Sequence, residues 1–215
     1  MDLDETIQSR RSIRMFTERL VETGIIYQII DAGRWAPTAT NKQEAKFIYI
    51  DDGEIIKKLC DLGTAHFVKD CRQMILVLYD NRIDNTEYHD DILSAAAVIQ
   101  NMLLKATQLG VGTCWVANLP SKAALRRLFG VPSYYDPISL VVIGYALREP
   151  AEVKRKYDLD NMISNNIFDR SKDISGKKPK LKLFARRMSR RLYIRLPKTA
   201  SLRKLAGKYE KKFDN

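Results

Sequence analysis

The chain has little of what builds metal centres and disulfide frameworks. Of its 215 residues only two are histidines, His66 and His89, and three are cysteines, Cys60, Cys71 and Cys114. Neither histidine has a Cys or acidic partner at ligand spacing, so no metal site is implied. The cysteines are odd in number and show no Cys-x-x-Cys spacing, which reads as reduced thiols in a cytoplasmic protein. No apolar run approaches the roughly 20 residues that span a bilayer. Met1-Asp2-Leu3-Asp4-Glu5 is acidic and lacks an apolar core, so no signal peptide is expected. Gly-x-Gly-x-x-Gly is missing and no Ser-His-Asp arrangement is visible, which argues against a Rossmann nucleotide domain and a hydrolytic triad.

What is present supports a folded domain. Hydrophobic residues make up 45% of the chain, and the length suffices to bury a sizeable core. Charge is spread unevenly. Residues 170–215 hold 17 Lys/Arg against three acids (Asp173, Glu210, Asp214), a net +14. Residues 1–169 hold 20 Lys/Arg against 23 acids, a net −3, so a mildly acidic body carries a strongly basic tail.

Periodicity places the elements. A short helix is expected around Thr6–Ser9, and Ile25, Ile26, Ile29 and Ile30 fall at helical spacing in Thr23–Trp35, which Pro37 stops. Phe47–Ile50 reads as a strand closed by Asp51-Asp52-Gly53, and Glu54–Leu62 as a helix. The run Met74–Tyr79 suits a buried central strand. Asp91–Gln108 is apolar over most of its circumference, as in a helix buried on all sides, and stops at Gly110. Gly112–Val116 and Ile138–Tyr145 read as strands, with Ser121 capping a helix over Lys122–Phe129 between them. Without a regular βαβ alternation, the class is α+β rather than a doubly wound sheet.

Four segments stand out. Arg10-Arg11-Ser12-Ile13-Arg14 puts three guanidiniums and a hydroxyl within five residues, and arginine forks suit phosphate oxygens and carbonyl edges. Alone it also reads as a solvated basic turn. Ala36-Pro37-Thr38-Ala39-Thr40-Asn41-Lys42-Gln43 is a turn of small polar residues behind an apolar helix. Leu109-Gly110-Val111-Gly112-Thr113-Cys114-Trp115 permits a tight turn and close backbone approach. Ile143-Gly144-Tyr145 ends a strand, with Arg155 downstream in a basic run.

In this order the segments resemble the FMN-dependent nitroreductase family over roughly residues 4–163. The resemblance implies a nitroreductase-like three-layer fold: a mixed, mainly antiparallel central sheet flanked by helices, dimeric, with flavin sites at the dimer interface. It implies a flavin domain over residues 1–165 and a basic extension over 166–215. Its cofactors would be FMN and, as a transient electron donor, NAD(P)H, with a nitroaromatic, quinone or similar acceptor reduced by a ping-pong mechanism. By this likeness Arg10 and Ser12 contact the phosphate, with Arg11 beside them, and Arg14 lies at the pyrimidine edge. Pro37, Thr38, Ala39 and Asn41 approach the partner subunit's flavin. Ala117, followed by Asn118, offers backbone donors toward flavin N5, and Arg155 closes over the phosphate. The flavin carries the chemistry, so no catalytic side chain is implied.

The chain also departs from the family pattern. Thr38 replaces the usual Ser and keeps the hydroxyl. Glu44-Ala45 stands where Pro-Trp is common, which removes an aromatic wall and bears on substrate preference. The stretch Arg82–Asp90, where the family often has a longer helical lid, is short and implies an open pocket or a lid from elsewhere, such as the tail. Cys114 has no base near it in sequence and reads as a small residue of a buried strand, and Trp115 as core. In the tail, Leu181, Leu183, Phe184, Met188, Leu192, Ile194 and Leu196 interleave with basic residues, and a helix over Leu181–Tyr193 would gather much of the apolar set on one side. An arm on the dimer partner and an interfacial helix on an anionic membrane both fit, and nucleic acid binding is the weaker reading. Two other functions stay open: a degenerate, flavin-poor member binding through its tail, and a membrane-associated reductase of a lipid-linked substrate.

Overall fold

The computed structural model describes residues 1–83, 85–174, 184 and 188. It divides into two compact units, the first running from Met1 to Pro150 and the second beginning at Ala151. In the first unit, local signals set the boundaries. Helix α1 (Leu3–Ser9) begins three residues before the expected Thr6 because Asp2 caps it, its carboxylate accepting from the Glu5 amide at 2.8 Å. Helix α2 (Thr23–Arg34) leads through the Pro37 turn into β1 (Ala45–Ile50). Helix α3 (Gly53–Asp61) is capped by Asp52, which accepts from the Glu54 and Ile55 amides. Strand β2 (Gln73–Asp80) is buried throughout and precedes α4 (Asp90–Gln108) and β3 (Gly112–Val116). Ser121 caps α5 (Lys122–Phe129), and β4 (Tyr135–Gly144) follows. Strand β4 starts three residues before the expected Ile138. Tyr135, Asp136 and Pro137 pair with Asp80, Tyr79 and Leu78 beyond a register shift at Val77/Leu78, and a proline beside a bulge hides that end from the sequence pattern.

The four strands form an antiparallel sheet in the order β1-β2-β4-β3. One parallel bridge, Ser12 to Thr113, makes the pairing mixed. Alternation along the strands sends successive side chains to opposite faces. Met74, Leu76, Leu78, Cys114, Leu140 and Val142 share one core with Ile56 and Leu59 of α3 and Leu125 of α5. Ile75, Val77, Val141 and Ile143 face Ile26 and Ile29 of α2 and Val98, Ile99 and Met102 of α4. The result is three layers, α2/α4 over the sheet over α3/α5.

Helix α4 departs from the sequence reading. It is buried along one stripe (Ser94, Ala95, Val98, Ile99, Met102, Leu103, Ala106), while Ile92 and Leu93 lie exposed, as do Tyr27 and Trp35 of α2. Its apolar circumference exceeds what one sheet and one neighbouring helix cover. In the second unit, short 3₁₀ turns span Leu159–Asn161 and Arg170–Lys172, and the Tyr157 hydroxyl donates to the Ile174 carbonyl at 3.1 Å. Apart from Phe184 and Met188, the basic extension beyond Ile174, including the Leu181–Tyr193 helix read from sequence, lies outside the described residues. Among the described residues no helix is long and apolar enough to cross a membrane.

Candidate functional site

Three of the four singled-out segments meet at one edge of the sheet. Leaving α1, the arginine segment runs beside β3, where the Ile13 amide donates to the Thr113 carbonyl at 2.9 Å. Further on, the Thr17 amide donates to Tyr145 O at 2.8 Å and the Leu147 amide to Met15 O at 3.1 Å, tying the segment to the end of β4. Two glycines make this approach possible. A Cβ on Gly144 would meet the Phe16 ring at 2.7 Å, and one on Gly112 would meet Ile13 at 3.0 Å and the Gly144 carbonyl at 3.1 Å.

This packing concentrates positive charge. Among the described residues no carboxylate lies within ion-pair distance of Arg10 or Arg14. Arg14 donates only a long hydrogen bond to the Ser12 carbonyl (3.4 Å), and its guanidinium stands 5.8 Å from the Phe67 ring centre. Arg11 donates to the Gln8 and Arg10 carbonyls, which turns it back onto α1. Burial pushes the Cys114 thiol above its ordinary pKa, even though Arg14, a Ser12 hydrogen bond and Arg10 pull it down. Arg10, Ser12 and Arg14 therefore all act on Cys114 of β3. Cys114 there is a buried strand residue with a thiol held protonated, not a nucleophile.

Beyond β3, Val116 is buried, Ala117 exposed and Asn118 half-buried, and the Asn118 carbonyl accepts from the Ala65 amide at 3.0 Å. Trp115 is exposed, contrary to its reading as core. It pairs with Val141 on an edge strand, where the helical layer ends.

The Pro37–Gln43 loop is held from α4 instead. The Ala39 amide donates to the buried Ser94 hydroxyl at 3.0 Å, and Lys42 donates to the Arg82 carbonyl at 3.4 Å. Within the loop, Gln43 N–H donates to Thr38 Oγ1 (3.1 Å) and Gln43 Nε2 to Asn41 Oδ1 (2.9 Å). Thr40, Asn41 and Gln43 all adopt left-handed backbone, with φ of 50°, 59° and 54°. Three such non-glycine residues within four positions are costly and need outside support. Arg155 is exposed and belongs to the second unit.

Sequence reasoning missed two features. Asp136 accepts from Asn81 and pairs with Lys122 and Arg126, locking the end of β4 to α5 and to the segment after β2. Burial alone would raise its carboxyl. Hydrogen bonds from Lys122 and Asn81 and the charges of Lys122 and Arg126 outweigh that and hold it below the usual range. Ser94, the anchor of the polar loop, sits 55 residues from it and carries no local signal.

The Nitroreductase family profile matches residues 7–63 and 60–145, which include all of the Arg10–Arg14, Pro37–Gln43 and Gly112–Asn118 segments. The chain belongs to the nitroreductase family. It is 31% identical over 170 residues, 77% of its own length and 95% of the other's, to a protein of Archaeoglobus fulgidus provisionally named an NADH dehydrogenase/NAD(P)H nitroreductase. A solved nitroreductase family protein of Clostridium difficile superposes with a TM-score of 0.69 at 26% identity, covering 78% of this chain and all of that one. A provisionally named nitroreductase of Desulfovibrio desulfuricans, solved in complex with FMN, superposes at 0.64 with 25% identity over 79% of this chain and 99% of its own. These matches establish the nitroreductase fold, and the three-layer sheet described above is that fold in this chain.

Proposed function

We propose that this nitroreductase family member is an FMN-dependent NAD(P)H oxidoreductase acting as a cytoplasmic homodimer. The observation that carries the reading is the pair of guanidiniums, Arg10 and Arg14, gathered with no carboxylate partner among the described residues where a backbone cradle closes on β3. Like charges held together without counterions favour an anionic ligand, and arginine forks fit both a phosphate and a pyrimidine dione edge. The residues therefore suit FMN. Arg10 and Ser12 hold its phosphate, with Arg11 turned back onto α1 and outside that contact, and Arg14 puts positive charge at its pyrimidine edge. The Ala117 and Asn118 backbone faces its N5. FMN, when bound, supplies hydride transfer through N5 from NAD(P)H to a nitroaromatic, quinone or similar acceptor, in ping-pong order.

Dimerisation has its own support. Tyr27 of α2, Trp35 just beyond it, and Ile92 and Leu93 of α4 are exposed apolar side chains that a partner subunit would cover. A partner on that face would receive the strained Thr38–Asn41 loop against its flavin. Residues 1–165 would then form the flavin body and 166–215 an extension outside the catalytic chemistry. The direct test is the visible spectrum of the purified protein, followed by anaerobic addition of NADH or NADPH. A flavin band that bleaches supports the reading. A colourless protein that refuses added FMN overturns it.

A further inference from the structure

A small cavity of about 220 Å³ lies between the polar loop and the start of α4, away from the arginine segment. Its wall includes Ala39, Thr40, Lys42, Tyr79, Asp91 and Ser94, with Asp90 beside Asp91. Two polar atoms there have no partner among the described residues. Tyr79 is 1% exposed and Asp91 5% exposed, and neither the Tyr79 hydroxyl nor Asp91 Oδ1 makes a hydrogen bond. Acidic residues in a first helical turn ordinarily just offset the helix dipole. A carboxylate oxygen shut away from both water and donors is different, because leaving it unpaired is expensive. Lys42 lines the same cavity but does not hydrogen-bond to Asp91 Oδ1.

We propose that this cavity is a binding site for a small primary ammonium compound, whose N–H groups reach Asp91 and Tyr79. Asp91 Oδ1 only accepts and the Tyr79 hydroxyl can accept as well as donate, so a singly positive ammonium, with three donors and no acceptor, suits the pair. The carboxylate torsion is soft, so Oδ1 turns into the cavity at little cost. Size argues against a bare metal ion, because the volume is about seven times the roughly 30 Å³ that one liquid water occupies. The Ala39 side chain and the Tyr79 ring leave room for a short alkyl or aryl group behind the nitrogen. An occupant would touch Ala39 and Thr40, and so brace the same loop that Ser94 holds. The site stands on these contacts alone, whether or not the chain binds FMN.

The test is calorimetric titration of the full-length protein with n-butylammonium chloride, with n-butanol and potassium chloride as separate probes. Saturable binding of the amine is expected, with no binding of the alcohol. Asp91→Asn should weaken it roughly tenfold or more, the loss of a charge-assisted hydrogen bond, and Tyr79→Phe by a few fold. Both substitutions preserve shape, and unchanged thermal midpoints show that the fold is intact. No saturable amine binding would mean that the cavity holds only water, and would overturn the proposal. So would equal affinity for butanol, equal competition by potassium, or affinity unchanged in both variants.

Discussion

Removing the Ser94 hydroxyl tests how the polar loop is held. The loop carries three left-handed residues, and Thr40 is the worst placed because its branched Cβ suits that region least. A left-handed non-glycine residue costs roughly 1–2 kcal/mol, so the loop stores on the order of 3 kcal/mol after allowing for the tolerance of Asn41. Four hydrogen bonds oppose this: Ala39 N–H to Ser94, Gln43 N–H to Thr38, Gln43 Nε2 to Asn41, and Thr40 Oγ1 to the Ala39 carbonyl. At about 1 kcal/mol net each, they exceed the strain by only about 1 kcal/mol. Ser94→Ala removes about that margin, so the native loop falls to roughly half population. Faster amide exchange at Ala39 is the direct readout and needs no ligand. Titration of FMN fluorescence should show an apparent Kd weakened by about twofold. Thr40→Gly in the same background relieves strain at the worst position and should recover part of the loss. Unchanged Ala39 exchange in Ser94→Ala, or a Thr40→Gly that worsens binding in that background, would refute the balance of strain and anchor.

Other perturbations probe separate links. Arg14→Ala should weaken FMN binding and slow reduction by NAD(P)H in stopped-flow, and unchanged occupancy and rate would remove Arg14 from the site. Gly144→Ala forces a methyl group against the Phe16 ring and should cost about 1–3 kcal/mol, read as a lowered denaturation midpoint. The Asp136 carboxyl is held below its ordinary value, so its stabilisation is complete above about pH 4 and fades as pH falls through the depressed folded value. The stability gap between native protein and Asp136→Asn should therefore narrow from pH 7 to pH 3 in urea titrations. Burial pushes the Cys71 thiol up to about 12 and raises Cys114 as well, so a thiol reagent at pH 8 should leave both unmodified until the protein unfolds.

Most elements were legible because short-range chemistry fixed them. Ser121 set the start of α5 as read, while Asp52 placed α3 and the unbroken apolar run placed β2, each within a residue. The start of α1 was misplaced because the local cap at Asp2 was not read, whereas at β4 a long-range partner overrode the local pattern. Strand β4 reaches back to Tyr135 because β2 offers a bulged partner, a fact absent from the residues themselves. Trp115 looked like core because aromatic residues in apolar strands usually are. Its exposure depends on β3 being an edge strand, which only topology decides.

The site shows the same division more sharply. Arg10, Ser12 and Arg14 stood out as candidates because their clustering is local, although alone they also read as a solvated basic turn and it took the other segments to favour an anion. Ser94, Tyr79 and Asp91 gave no such signal, since each looks ordinary in its own helix or strand. Tyr79 extends an apolar run, Asp91 suits a first helical turn, and Ser94 interrupts a row of alanines. They acquire meaning only when β2, α4 and the loop are brought together, leaving one hydroxyl to anchor a strained backbone and two polar atoms without partners. A sequence can point to a group suited to bind something, because clustered charge is visible in one dimension. It cannot announce a group left unsatisfied by packing, because that is a property of neighbours.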